Sequence, residues 1–224
     1  MFMKGQAVTL RSLEAEDAEV FYLWSQDREI TQFSTSSYAY PQSQSDIGVW
    51  LSKVNQDPKM VLFGICCIKT GKLVGYTGLV SMSQINRSAE HFILIGDKHY
   101  WGKGVATNVT QLVTRYAFRD LGLHRVELTA FVDNKAAIRA YENAGYHHEG
   151  IQRQAGFRHG GFYDKVLMSV LVTDDMPEQK PITLAASEVS QSGIEHKDDA
   201  ISLGSDLNNV NANLAGEAGK EKDK

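Results

Sequence analysis

Cysteine is scarce: the 224 residues hold two, Cys66 and Cys67, and these are neighbours. Adjacent thiols build neither a disulfide framework nor a zinc site of cysteine ligands. Inside the apolar run Val61–Ile68 they read as small strand hydrophobes. Long hydrophobic runs are missing too. No stretch approaches the roughly 18–20 apolar residues of a membrane span, and Met1–Leu10 lacks the apolar core of a secretion signal. A soluble, cytoplasmic chain with no membrane partner is the expectation. The formal net charge is -4, so no basic excess points to a nucleic acid partner. Aromatics stop at Tyr163, and Pro177–Lys224 is dominated by Ser, Asn, Ala, Gly and mixed charges. Such a segment has too little apolar surface to offset the entropy of ordering it. The expected division is one domain over residues 1–175 and a polar, disordered tail over 176–224, inert or partner-binding.

What is present is clear periodicity. Ala7–Arg11 reads as a short strand. Asp17–Asp27 puts Val20, Leu23 and Trp24 on one helical face, and Asp46–Asn55 does the same with Ile47, Trp50, Leu51 and Val54. Val61–Ile68 and Leu73–Val80 form a predicted hairpin whose turn supplies Gly71 where positive φ is needed. Ser88–Ile95 is a further strand. A helix opens after Trp101–Gly104 and closes at Gly122, His124–Val132 is a strand, and a helix from Lys135 to Ala144 lies between Asn134 and Gly145. Strands Tyr146–Arg153 and Phe162–Leu171 come last. This order predicts an α+β domain with one mixed sheet and helices on its faces.

The segment Tyr100-Trp101-Gly102-Lys103-Gly104-Val105-Ala106-Thr107 joins a strand to a helix. Two glycines let backbone approach a bulky anion, and the helix start offers unpaired N–H groups and the positive dipole end. Alone the signal is weak, because tight turns use glycine for steric reasons. A Walker loop fits poorly because Lys103 is succeeded by Gly104 rather than Ser or Thr, and a Rossmann fingerprint fits poorly because Thr107 stands at its third glycine and the turn comes mid-chain after a meander of strands. No serine sits in a G-x-S-x-G elbow, and no histidine pair has H-x-x-x-H spacing, so no metal is expected.

Residues Trp101–Ala106 resemble the Q/R-x-x-G-x-G/A cradle of the GNAT superfamily of N-acetyltransferases, with Trp101 where that pattern has Gln or Arg. About 30 residues on, Asn134-Lys135-Ala136-Ala137-Ile138-Arg139-Ala140-Tyr141-Glu142-Asn143-Ala144-Gly145-Tyr146 resembles the second half of the signature, N-x-x-A-x-x-x-Y-x-x-x-G-F/Y. The two motifs stand in order and at the family's spacing, within a resemblance over roughly residues 6–172. Its nearest branches are the ribosomal-protein N-terminal acetyltransferases and the spermidine N-acetyltransferases. The resemblance implies a single mixed, mostly antiparallel sheet flanked by helices on both faces. It also implies acetyl transfer from acetyl-CoA to a primary amine (protein N-terminus, polyamine or amino sugar) by direct attack. A noncatalytic CoA-binding module of the same fold is the alternative.

Carried onto this sequence, the resemblance assigns the cofactor to Trp101, Gly102, Lys103, Gly104, Val105, Ala106, Thr107, Asn134, Lys135 and Ala136. The pantetheine arm lies along Ile93, Leu94 and Ile95 as an added strand. Lys103 either attracts phosphate or faces solvent, and Asn134 contacts the cofactor, caps its helix, or both. Tyr141 stands at the family's general acid, since a departing thiolate needs a proton or a strong hydrogen bond; a packed aromatic is the rival reading. The attacking amine must lose a proton, and Glu90, near the start of the cofactor-facing strand, is either the base or a structural carboxylate.

Overall fold

The computed structural model describes residues 2–34, 38, 40–178 and 181–182. Strands and helices stand close to where the periodicity places them, with some additions. A two-residue strand β1 (Met3–Lys4) precedes β2 (Val8–Arg11). After a 3-10 turn, α1 covers Ala18–Gln26, and a one-turn helix α2 (Arg28–Thr31), which no periodicity announces, comes at once after it. Helix α3 runs Gln44–Leu51, starting earlier and ending earlier than its apolar pattern, because Ser43 and Asp46 close a capping box at its start. Strands β3 (Val61–Cys67) and β4 (Leu73–Ser83) form the expected hairpin, with Gly71 at φ 71. Then come β5 (Ser88–Ile95), α4 (Val105–Arg119), β6 (Arg125–Phe131), α5 (Lys135–Ala144), β7 (His147–Arg158) and β8 (Gly161–Leu171).

All eight strands join one sheet in the order β1-β2-β3-β4-β5-β6-β8-β7. Every neighbouring pair is antiparallel except β5 with β6. The sheet is therefore mixed and mostly antiparallel, with helices on both faces, as expected. Alternation sends Val8, Leu10, Ile65, Leu79, Ala89, Val126, Leu128 and Met168 to one face, where α4 adds Val105, Val109 and Val113 and α5 adds Tyr141 and Ala144. The opposite face carries Leu62, Tyr76 and Leu94 against Phe21 and Trp24 of α1 and Ile47 and Leu51 of α3. Strand β3 is buried almost end to end, and β4 over residues 74–79, because both faces are covered there.

The expected tail falls mostly outside the described residues. Of its described part, Pro177 offers its carbonyl to the Nε2 of buried Gln111 at 3.1 Å, and the Ile182 N–H donates to Gln6 Oε1 at 2.9 Å. Met176 and Ile182 pack against the α4 core. The chain thus continues onto α4 past residue 175.

Candidate active site

The two parallel strands make the site by parting. β5 and β6 are in register only at Ser88↔Arg125, Ala89↔Val126 and Glu90↔Glu127. Beyond that rung they diverge, and Ile93–Ile95 face Thr129 and Ala130 across a cleft of about 670 Å³. Parting leaves backbone groups of the inner strand edges without a ladder partner, which an extended ligand can pair.

The start of α4 closes one end of this fork. Gly104 is the N-cap, at φ 79, a conformation costly for residues with a Cβ. It has no side chain to cap the helix, and no acidic residue sits in the first turn. Helices α3 and α5 are capped by Ser43 and Asn134, whereas α1, like α4, has no side-chain cap. Among the described residues the first N–H groups of α4 therefore find no side-chain acceptor, and Gly104, Val105, Ala106 and Thr107 line the cleft. Such a start of a 15-residue helix has the geometry to receive an anion, and Thr107 bonds the Ala140 carbonyl at 3.2 Å to fix α4 against α5. A cleft and cradle of this kind suit an elongated ligand carrying phosphates.

Tyr141 reaches the cleft from α5. Its neighbours on the buried helical face are Ala137, Ile138 and Ala144. Burial pushes its phenol well above the ordinary value, so the hydroxyl stays protonated. Its ring lies 6.4 Å from that of His91, edge to face. Glu90 occupies the last paired rung at the base of the fork, outside the residues lining the cleft. It is half-buried, and desolvation, then the negative charge of Glu127, raises its carboxyl, with Lys165 opposing.

Of the cofactor residues expected from sequence, Ile93, Leu94, Ile95, Trp101, Gly102, Gly104, Val105, Ala106, Thr107, Asn134 and Ala136 line the cleft, whereas Lys103 and Lys135 do not. Asn134 uses its Oδ1 to accept the Ala137 N–H at 3.1 Å, so it is a helix cap standing at the cleft wall. Sequence reasoning did not reach Glu29, Gln32, Phe33 and Ser34 around α2, nor Thr129 on β6, nor Arg139 and Asn143 on α5. Arg139 and Asn143 carry a signal, since they stand two residues to either side of Tyr141 in the second motif. The residues near α2 carry none: they enter through the packing of Phe33 on Phe131, ring centroids 6.1 Å apart, and the bond from Arg158 to the Ser34 carbonyl at 2.7 Å.

Among the described residues no helix is long and apolar enough to cross a membrane, and no His, Cys, Asp and Glu side chains group as a metal-ion site.

Known proteins share this arrangement. Residues 7–147 match the acetyltransferase (GNAT) domain. The chain is 34% identical over 182 residues to a probable N-acetyltransferase of Bacillus subtilis, covering 77% of this chain and 98% of the relative. It is 27% identical over 177 residues to a spermidine N(1)-acetyltransferase of Escherichia coli, covering 79% and 92%. Among solved structures, the spermidine N-acetyltransferase from Vibrio cholerae in complex with CoA and spermine superposes with a TM-score of 0.66, at 25% identity, covering 75% of this chain and 97% of that one. The fork, the uncapped helix start and these likenesses together establish that the chain belongs to the GNAT acetyltransferase family and is an acetyl-CoA-dependent N-acetyltransferase.

Proposed function

We propose that the enzyme passes the acetyl group of acetyl-CoA directly to a primary amine, with a polyamine the first acceptor to test before protein N-termini and amino sugars. The observation that carries this is the fork itself: a helix start suited to an anion at its α4 end, the β5 edge along Ile93–Ile95 with only the Ile95 carbonyl taken up by Trp101, and Tyr141 on its wall. In this reading the cradle takes the pyrophosphate and the β5 edge takes the pantetheine arm. The polyamine preference is supported by the spermidine-acetylating relatives and by the carboxylate of Glu90 at the base of the fork, while Glu29 on the cleft wall is paired with Lys98 at 2.6 Å. Dependence on acetyl-CoA argues for a cytoplasmic site of action.

The neutral amine attacks the thioester carbon, the C–N bond forms, and the C–S bond breaks. Glu90 takes the surplus amine proton, directly or through a water. Tyr141 faces the leaving sulfur. Complete transfer from a phenol near 10 to a thiolate whose thiol is near 8.5 is uphill, and burial raises the phenol further. Tyr141 therefore acts first as a hydrogen-bond donor that holds the developing thiolate. The same dry surroundings raise the thiol too, which narrows the gap until the proton crosses. Thiol release measured with spermidine, short peptides and amino sugars tests the assignment. Turnover with at least one amine, fastest with the polyamine, is expected; no release with any primary amine would refute amine acetylation.

A further inference from the structure

We propose that Glu127, held by Arg125 of its own strand and standing opposite Glu90 on the last rung of the fork, is a positioning residue that makes Glu90 the proton-accepting carboxylate of the site. The inference rests on the reading of Glu90 as the base. It starts from register: Glu90 and Glu127 are directly opposed on parallel strands. Their neighbours Ala89, Val126 and Leu128 lie in the α4–α5 core, so both carboxylates point to the other face. On that face Arg125 places Nε and Nη2 on Glu127 Oε2, at 3.0 and 2.9 Å. The same guanidinium also holds Glu149 of β7, through Nη1 to Oε1 at 2.6 Å and Nη2 to Oε2 at 2.5 Å, while Ser169 of β8 donates to Glu149 Oε1 at 2.7 Å.

One guanidinium thus serves two carboxylates and leaves one negative charge uncompensated beside Glu90. Arg125 and Ser169 hold the Glu149 carboxyl well below its ordinary range, and Glu127 accepts two charged hydrogen bonds from the same guanidinium. Glu90 receives no hydrogen bond from any described residue, and the one opposing charge is Lys165 of β8, whose ammonium also lies 5.2 Å from the Phe131 ring. From β4 the residue facing Glu90 is Val80, which carries no charge. When one of two adjacent carboxylates accepts charged hydrogen bonds and the other accepts none, a proton arriving at the pair favours the one without them. That asymmetry suits a base: Glu90 is left without a donor, while Arg125 occupies Glu127.

The test tracks Glu90 without relying on turnover. In protein carrying ¹³C-labelled glutamate carboxyls, the Glu90 resonance is identified by its loss in Glu90→Gln, and its titration is recorded in the parent and in Glu127→Gln. The midpoint in the parent should lie above the ordinary carboxylate range and fall by about half a unit to one unit in Glu127→Gln, the size of one nearby charge in a partly solvated setting. An unchanged midpoint overturns the inference. Should Glu127→Gln not fold, Glu149→Gln decides instead, because freeing Arg125 to neutralise Glu127 fully must also lower the midpoint, and no movement there is equally fatal. The turnover of Glu90→Gln is measured separately: a fall of about 10²–10⁴ keeps Glu90 as the base. Undiminished turnover removes that reading whatever the titration shows.

Discussion

The indole Nε1 of Trp101 donates to the carbonyl oxygen of Ile95 at 2.8 Å. The residue that replaces Gln or Arg in the family's cradle thereby ties the glycine turn to the end of β5, across only six positions. Lys98 Nζ stands 6.0 Å from the ring centroid, on a turn that Asp97 caps. Trp101→Phe keeps most of the ring and removes the donor. Acetyl-CoA affinity, read by calorimetry, should weaken about 3- to 10-fold, the equivalent of one hydrogen bond, with the melting temperature nearly unchanged. Unaltered affinity would show that the tie does not hold the cradle in shape.

Gly104 tests the cradle more directly. At φ 79 any side chain is strained, so Gly104→Ala should cost about 1–2 kcal/mol of stability and also weaken acetyl-CoA binding at least tenfold. Gly71→Ala provides the comparison: its φ is 71, with open space around it, at the far β3–β4 turn. It should lose similar stability and bind acetyl-CoA normally. Equal affinities in the two variants would detach Gly104 from the cofactor.

Tyr141→Phe removes one oxygen and keeps the ring packed in the α4–α5 core. Turnover should fall by about 10²–10⁴, roughly 3–5 kcal/mol of transition-state stabilisation. Affinity for acetyl-CoA should stay within a few-fold of the parent. Lower melting temperature with normal turnover is the opposite pattern, and would make Tyr141 a structural aromatic.

His91 couples stability to pH. It is buried between the Gly78 carbonyl, 3.1 Å from Nδ1, and Thr110 Oγ1, 3.2 Å from Nε2. A carbonyl only accepts, so Nδ1 carries the proton and Nε2 accepts from the threonine hydroxyl. Burial lowers the imidazole to about 4, against an unfolded value near 6.5. The unfolded chain therefore binds a proton first as pH falls. The contribution is full above about pH 6.5 and is lost as pH drops to about 4, at most about 3 kcal/mol. Denaturant unfolding from pH 7.5 to 4 should show this decline in the parent and a flatter profile in His91→Gln. Parallel profiles would rule His91 out as the source.

Composition alone predicts that ending the chain at Asp175 leaves the domain unaffected. The bond from buried Gln111 to the Pro177 carbonyl and the packing of Ile182 argue otherwise. A chain ending at Asp175 should be less stable by about 1–3 kcal/mol than one ending at Ile182, since it uncovers a buried amide and loses one aliphatic contact. That amounts to about 3–8 °C in melting temperature. Equal melting temperatures would return residues 176–182 to the tail.

Most single elements were legible in the sequence, because local rules write them: alternation for β3 to β6, 3.6-residue spacing for α4 and α5, Asn134 and Gly145 as caps, Gly71 as the turn. The two motifs also singled out Gly104 and Tyr141 through short fixed spacings, and both residues line the cleft. α2 escaped because one turn is too short to show a period. Periodicity reports which face a residue takes, not which strand lies beside it, and strand order is settled by long-range packing. Tertiary structure alone therefore decided that β5 and β6 pair for three rungs and then part, that Phe33 and Ser34 reach the cleft through contacts with Phe131 and Arg158, and that Glu90 and Glu127, 37 positions apart, face each other at the base of the fork.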